Sequence, residues 1–248
     1  MPDRRHHRGP HPEDARWFAP ALWPVLREAT ADLCWLLSRD YPSKSALKLV
    51  GDRYDLVVRQ RTAVGRSACS SAKAARRKDR QVGRRELAGQ PLWVDGYNVL
   101  TTVEAAMARG VLLAGCDGTY RDMASMHGSF RKVAETLPAL ETLGRATAEL
   151  RVEQCVWYLD RPVSNSGRLK GLIEELSTAR GWPWRVELVP DPDAILAAAR
   201  QIVATADSAI LDACGAWFNL ARETVAGYVP EATVIEMIPS GSRCHTPP

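Results

Sequence analysis

The 248-residue chain is 46% hydrophobic and 25% charged, a globular composition that excludes collagen-like, coiled-coil and wholly disordered proteins. No run approaches the ~18 uninterrupted apolar residues of a membrane span, and the polar first sixteen residues carry no signal-peptide core. The net charge of +4 conceals a division: residues 1–90 hold 19 Lys+Arg against 10 Asp+Glu, and residues 91–248 hold 14 against 19. That asymmetry points to two modules, the first facing a polyanion. Six scattered cysteines without a Cys-x-x-Cys pair exclude zinc ribbons and disulfide scaffolds and predict reduced thiols in a cytoplasmic protein.

Residues 1–16 read as a disordered tail. Leu22, Leu26, Ala29, Leu33, Leu36 and Leu37 then recur at helical spacing, with Pro20 and Pro24 near the start and Pro42 past the end. Ser43 is placed to cap a second helix carrying Ala46, Leu47 and Val50, which Gly51 is expected to end. Asp52 is placed to cap a third, bearing Leu56, Val57 and Val64. Residues 17–72 therefore form a small all-α module, of which a helix-turn-helix is one version. Residues 73–85 hold seven basic residues and a single acid with almost nothing apolar. This run predicts a basic linker extending to residue 90. Its Arg76, Arg77 and Lys78, with Arg59, Arg61 and Arg66 before it, are candidates to meet backbone phosphates.

Composition changes at Pro91. Leu92–Val94, Cys155–Leu159, Val186–Val189, Ile202–Ala206 and Thr233–Ile238 are short apolar runs. Helical patterns separate several of them, one over about 167–179 and one after Asp207 that places Ile210, Ala213, Trp217, Leu220 and Val225 on one face. Strands alternating with helices predict an α/β domain over 91–240, a mostly parallel sheet covered on both faces as an αβα sandwich, with a tail at 241–248.

Three of the strand patterns lead into aspartates: Asp95, Asp160 and Asp207. Ligands of open parallel sheets bind beyond the carboxyl ends of the strands, where these three could converge, with Asp212 following on the next helix. Converging carboxylates repel and raise one another's pKa unless a cation neutralises them, and a hard ion such as Mg²⁺ or Mn²⁺ suits an all-oxygen site. A strand-ending aspartate can equally be a plain turn former or helix cap.

The run Leu92-Trp93-Val94-Asp95-Gly96-Tyr97-Asn98-Val99-Leu100 resembles the first strand of PIN-like nucleases, in the branch with an Asp-Gly-Tyr-Asn turn. Thr205-Ala206-Asp207-Ser208-Ala209-Ile210-Leu211-Asp212 is similar to that superfamily's later acidic motif. The stretch Tyr41–Tyr54 resembles a small prokaryotic domain of unknown function that precedes such domains. The resemblance covers about residues 91–240 and implies a Rossmann-like fold with Mg²⁺- or Mn²⁺-dependent hydrolysis of nucleic acid, RNA ahead of DNA. It implies Asp95 as central metal ligand, Asn98 supporting the turn or a metal water, and Asp160, Asp207 and Asp212 completing the cluster. The family's glutamate between the first two strands has no secure counterpart here; Asp122, with Asp117 behind it, is the substitute.

Arg121, His127 and Arg131 read as a helical stretch near the mouth of the cleft, and Ser164, Asn165, Ser166, Arg168 and Lys170 as a polar loop opening a helix. Both sets are candidates for substrate contact. No Gly-x-Ser-x-Gly elbow, H-E-x-x-H helix, P-loop or dinucleotide fingerprint is present. The sequence thus points to a metal-dependent nuclease, with nucleic acid and not a membrane as its partner. The alternatives are a helix-turn-helix DNA binder with an inert second domain, and a phosphatase, which Tyr97 disfavours by standing where a second nucleophile-pair aspartate would be.

Overall fold

The computed structural model describes residues 8–124 and 130–238, and within it a short helix α1 (Asp14–Trp17) and a 3-10 turn (Pro20–Leu22) precede three longer helices. These are α2 (Trp23–Leu37), α3 (Ser43–Arg53) and α4 (Val58–Ser67), which bury Leu26, Ala29, Leu33, Ala46, Val50, Ala63 and Val64 against one another. Gly51 lies inside α3 and does not end it. A β-carbon there would meet the Arg61 guanidinium at 2.5 Å, so the glycine makes room for that side chain, and the turn falls instead at Asp55, with φ +49°.

The expected disordered tail needs correction over residues 8–16. Asp14 is buried against the Arg59 guanidinium, and Arg8 pairs with the buried Glu104. The remainder of that tail and the tail at 241–248 lie outside the described residues.

The basic run is corrected more sharply. It contains α5 (Ser71–Arg80), whose first turn is capped by the Ser70 hydroxyl accepting from the Lys73 amide, and the short α6 (Arg84–Leu87). Composition suggested a solvated linker because an almost wholly polar helix has nothing apolar to bury. This helix buries Arg77 instead, and the Trp217 indole donates to the Arg77 carbonyl at 2.6 Å.

From Pro91 the chain alternates strand and helix: β1 (Pro91–Asp95), α7 (Gly96–Met107), β2 (Val111–Ala114), β3 (Tyr120–Asp122), α8 (Thr136–Glu149), β4 (Gln154–Asp160), α9 (Ser166–Arg180). It continues with β5 (Trp184–Val189), α10 (Pro192–Ala197), β6 (Ile202–Ala204), α11 (Ser208–Ala213), β7 (Ala216–Phe218), α12 (Leu220–Tyr228) and β8 (Thr233–Glu236). A five-stranded sheet of order β5-β4-β1-β6-β7 is parallel throughout. Alternate side chains enter two cores, as strand periodicity requires. Leu92, Val94, Cys155, Trp157 and Leu159 pack with α7, α8, α9 and α12, whereas Val156, Tyr158, Val203 and Trp217 pack with α10 and α11. The fold is α/β, with helices on both faces of the sheet. Among the described residues no helix is long and apolar enough to cross a membrane.

Two expectations about elements fail. The single helix after Asp207 is broken: Ala216–Phe218 leave it to pair with β6, putting the fully buried Trp217 in the sheet. The strand over 233–238 does not join the main sheet either. As β8 it runs parallel to β2, with β3 antiparallel on the other side, in a second sheet of order β3-β2-β8. That sheet divides its side chains. Leu112 and Ala114 face the main core, while Val111, Leu113, Met123, Ile235 and Met237 face α2, α3 and α4. The helical segment and the α/β segment therefore share a hydrophobic core.

Candidate functional site

The strands of the main sheet end along one edge, and Asp95 sits there as the last residue of β1 and the N-cap of α7. The turn after it passes close to β4. A β-carbon on Gly96 would lie 2.5 Å from Leu159 Cδ2 and 2.9 Å from the Tyr158 carbonyl, which explains a glycine directly after the aspartate. Asn98 Oδ1 accepts from the Ala206 amide at 2.8 Å, tying this turn to the end of β6. Thr205 Oγ1 donates to Asp95 Oδ2 at 2.7 Å and accepts from the Asp207 amide at 2.9 Å.

Burial pushes the Asp95 carboxyl up to about 7; the Thr205 hydrogen bond opposes this, and the Asp193 and Asp207 charges add to it. Asp160, at the end of β4, is also raised by burial, with Asp191 contributing. Asp193 is raised by desolvation and by Asp207, Asp160 and Asp191. The Tyr97 phenol is pushed up to about 12 by burial and by Asp160. Asp191 and Asp207 cap α10 and α11 through their Oδ1 atoms. Five carboxylates thus share an edge without an ion pair to a described Lys or Arg. Among the described residues, no three acidic, His or Cys side chains are drawn together tightly enough to hold an ion.

Asp191 and Asp193 escaped the sequence reading. Their signal is the Pro190-Asp191-Pro192-Asp193 run directly after an apolar strand, in which the first proline ends the strand and two acids follow it.

Two expected cluster members lie elsewhere. Asp212 accepts from Arg77 Nε at 2.8 Å, and Lys73 Nζ lies 2.6 Å from its other oxygen. Burial alone would raise it, but Lys73 and Arg77 prevail and hold it low. One and a half turns of α11 carry its side chain away from the strand ends and toward α5. Asp122 accepts from the Ala124 amide at 2.7 Å and from Thr102 at 3.2 Å, in the second sheet. Asp117 is buried between Arg77 and Arg121, and its carboxyl is held well below the usual range against the pull of burial. Helix α7 does carry a glutamate, Glu104, but it pairs with Arg8 and accepts from Thr136.

The expected basic contacts divide in the same way. Arg121 lies on β3, not a helix, and donates to Asp117 and to the Ala206 carbonyl. Arg77 is consumed internally, and Arg76 approaches Asp212 at 3.9 Å, whereas Lys78 is exposed. Arg59, Arg61 and Arg66 bond Asp14, Asp52 and the carbonyls of Asp122 and Ala124 respectively. Lys170 donates to the Val186 carbonyl, and Ser166 to that of Arg161. Ser164 and Asn165 hold the chain at Phe130: the Phe130 amide donates to the Ser164 carbonyl, and Asn165 Nδ2 donates to the Phe130 carbonyl. Arg131, Lys132, Asn165 and Arg168 line a groove of about 600 Å³. Lys132 was missed, although Arg131-Lys132 was a readable basic pair. His127 lies outside the described residues.

Residues 84–223 match the family described as "Domain of unknown function (DUF5616)". The chain belongs to that family. Residues 25–80 match a second one, "Protein of unknown function (DUF434)", so the two matches meet between α5 and α6. An uncharacterized protein of Methanocaldococcus jannaschii is 27% identical over 186 residues, covering 75% of this chain and 88% of the relative. No solved structure matches.

Proposed function

We propose that the chain is a Mg²⁺- or Mn²⁺-dependent nuclease that hydrolyses phosphodiester bonds, in RNA ahead of DNA. The observation that carries this reading is the buried Asp95 carboxyl, pushed up to about 7 among like charges at the end of a parallel sheet. A carboxylate kept in such surroundings has a use for a cation, and a donor set of oxygens alone suits a hard one. Asp95, Asp160, Asp193 and Asp207 are its candidate ligands, and they would have to draw closer together than they stand to hold it. Such an ion supplies Lewis acidity toward a phosphate oxygen and lowers the pKa of a bound water.

The protein's own groups have distinct tasks. Thr205 fixes the orientation of the Asp95 carboxylate, and Asn98 keeps the β1–α7 turn against the end of β6. Arg131, Lys132 and Arg168 offer positive charge to a nucleic-acid backbone along the groove. The resemblance of the Asp95-Gly96-Tyr97-Asn98 turn to PIN-like nucleases supports the same chemistry. A helix-turn-helix reader on α3 and α4 is less well supported, because Arg59, Arg61 and Arg66 are spent on internal partners.

The test is incubation of RNA and DNA substrates with Mn²⁺ or with EDTA, using wild type, Asp95→Asn and Asp207→Asn. Cleavage is expected with Mn²⁺ only, and each variant is expected to lose it. Undiminished cleavage by both folded variants overturns the proposal.

A further inference from the structure

The β2–β3 loop and the α4–α5 junction are held side by side by a backbone hydrogen bond, and each contributes a cysteine at the point of contact. The Cys116 amide donates to the Ser67 carbonyl at 2.9 Å, and the Cys69 amide donates to Cys116 Sγ at 3.1 Å. The two sulfurs lie 2.9 Å apart across a separation of 47 residues. We propose that Cys69 and Cys116 form a reversible disulfide, by exchange with a small-molecule disulfide such as oxidised glutathione, that clasps the helical segment to the second sheet.

The surroundings suit the exchange. Cys116 is the more exposed of the pair, and the Cys69 amide N–H donates to its sulfur. Cys69 is buried behind it, within electrostatic reach of the Arg77 guanidinium. In the first step the Cys116 thiolate attacks one sulfur of the small disulfide, forming a mixed disulfide and releasing one small thiolate. In the second, the Cys69 thiolate attacks the Cys116 sulfur and expels the other. The two protein thiols lose two protons and two electrons, and the small disulfide takes up the electrons as it becomes two thiols. The sulfurs must close by less than ~1 Å to reach the ~2.0 Å bond length.

The bond would join the same two segments as the Arg77–Asp117 pair, since Asp117 follows Cys116 and Arg77 belongs to the helix that begins two residues after Cys69. It would add a covalent tie where the two segments meet through a buried charge.

Full-length protein is treated with oxidised glutathione, alkylated without reduction and peptide-mapped by mass spectrometry. The expected product is a linked peptide pair containing Cys69 and Cys116 that dithiothreitol removes. The variants Cys69→Ser and Cys116→Ser are each expected to lose the link. A link between any other pair, Cys244 included, or glutathione adducts alone, overturns the proposal. The oxidised wild type is expected to unfold several degrees above the reduced form, with no such rise in Cys69→Ser. An unchanged or lowered midpoint in the linked protein refutes the clasp.

Discussion

Nη1 of Arg77 lies 2.6 Å from Oδ2 of Asp117, with the two side chains 2% and 1% exposed. A guanidinium this deep cannot be left unpaired, and its nitrogens also reach Asp212 and the Ser208 carbonyl. Replacing Arg77 by Met removes a cation that joins α5 to both the β2–β3 loop and α11. Breaking a buried pair costs ~3–5 kcal/mol; the lower end applies here because Arg121 still pairs with Asp117. Denaturant unfolding should therefore show Arg77→Met about 3 kcal/mol less stable than wild type at pH 7. Because the Asp117 pKa is depressed on folding, its contribution is present above the unfolded carboxylate pKa and is lost as pH falls through the folded value. The difference between variant and wild type should accordingly narrow in strong acid.

Asp95 titrates in the opposite sense. Its pKa is raised on folding to about 7, so the folded state binds more protons than the unfolded one between the two pKa values. Stability from this group is full below the unfolded pKa and is lost as pH rises through about 7. Asp95→Asn keeps an oxygen for the Thr205 hydroxyl and abolishes the titration. The variant should be more stable than wild type by roughly 1–4 kcal/mol at pH 8 in EDTA, with little difference at pH 4. Thermal unfolding at the two pH values reads this directly, and equal midpoints at pH 8 would contradict the burial argument. Saturating Mn²⁺ should stabilise the wild type and not the variant.

Gly96 tests whether the acidic turn is a packing requirement. The nearest obstacle to a β-carbon is the flexible end of Leu159, but the next, at 2.9 Å, is the Tyr158 backbone carbonyl in the middle of the sheet. Backbone in a central strand cannot yield as a side chain can. Gly96→Ala should cost about 1–3 kcal/mol of stability. It should also displace Asp95 relative to Asp160, lowering any Mn²⁺-dependent activity. A wild-type unfolding midpoint would show that the turn has room to spare.

Much of the central frame was legible because it rests on local pattern. Leu92–Val94 and Cys155–Leu159 are apolar runs of strand length ending in Asp, and they pair as the middle of the sheet. The helix stripe from Leu22 to Leu37 is equally local. What escaped was set by distant partners. Val111–Ala114 and Tyr120–Asp122 are too short to show a period, and the third strand of their sheet, β8, arrives from more than a hundred residues away. Arg77 and Asp212 looked like substrate-facing and metal-facing groups because sequence gives the charge of a residue and not the direction of its side chain. Asp95, Asp160 and Asp207 could be placed on one edge because strand ends in a parallel sheet must share it.

The groove beside α9 yields a prediction about salt. Lys132 and Arg168 line it and are exposed, so changing both to Gln removes charge without opening a core. If each meets a phosphate of single-stranded RNA, the slope of log K against log salt should fall by ~0.7 per residue, or about 1.4 for the pair. Binding should be measured with the Asp95→Asn background in EDTA, so that cleavage does not intervene. A slope equal to that of the parent would place the backbone elsewhere on the surface.

The shared core makes the strongest demand on the fold. The two family matches divide the chain between residues 80 and 84, which suggests a cut that yields two independent pieces. The packing says otherwise. A fragment of residues 84–238 would expose Val111, Leu113, Ile235 and Met237, all buried against α2, α3 and α4, and would strip Asp117 and Asp212 of Arg77. Burying a single such aliphatic side chain is worth ~1.5–3 kcal/mol, so the loss of four, ~6–12 kcal/mol, is of the same size as the ~5–15 kcal/mol net stability of a typical domain. The fragment should aggregate or melt without a cooperative transition, and Leu113→Ala in the full chain should cost ~2–5 kcal/mol by itself. A soluble fragment that unfolds cooperatively near the full-length midpoint would mean that the second sheet is complete without the helices.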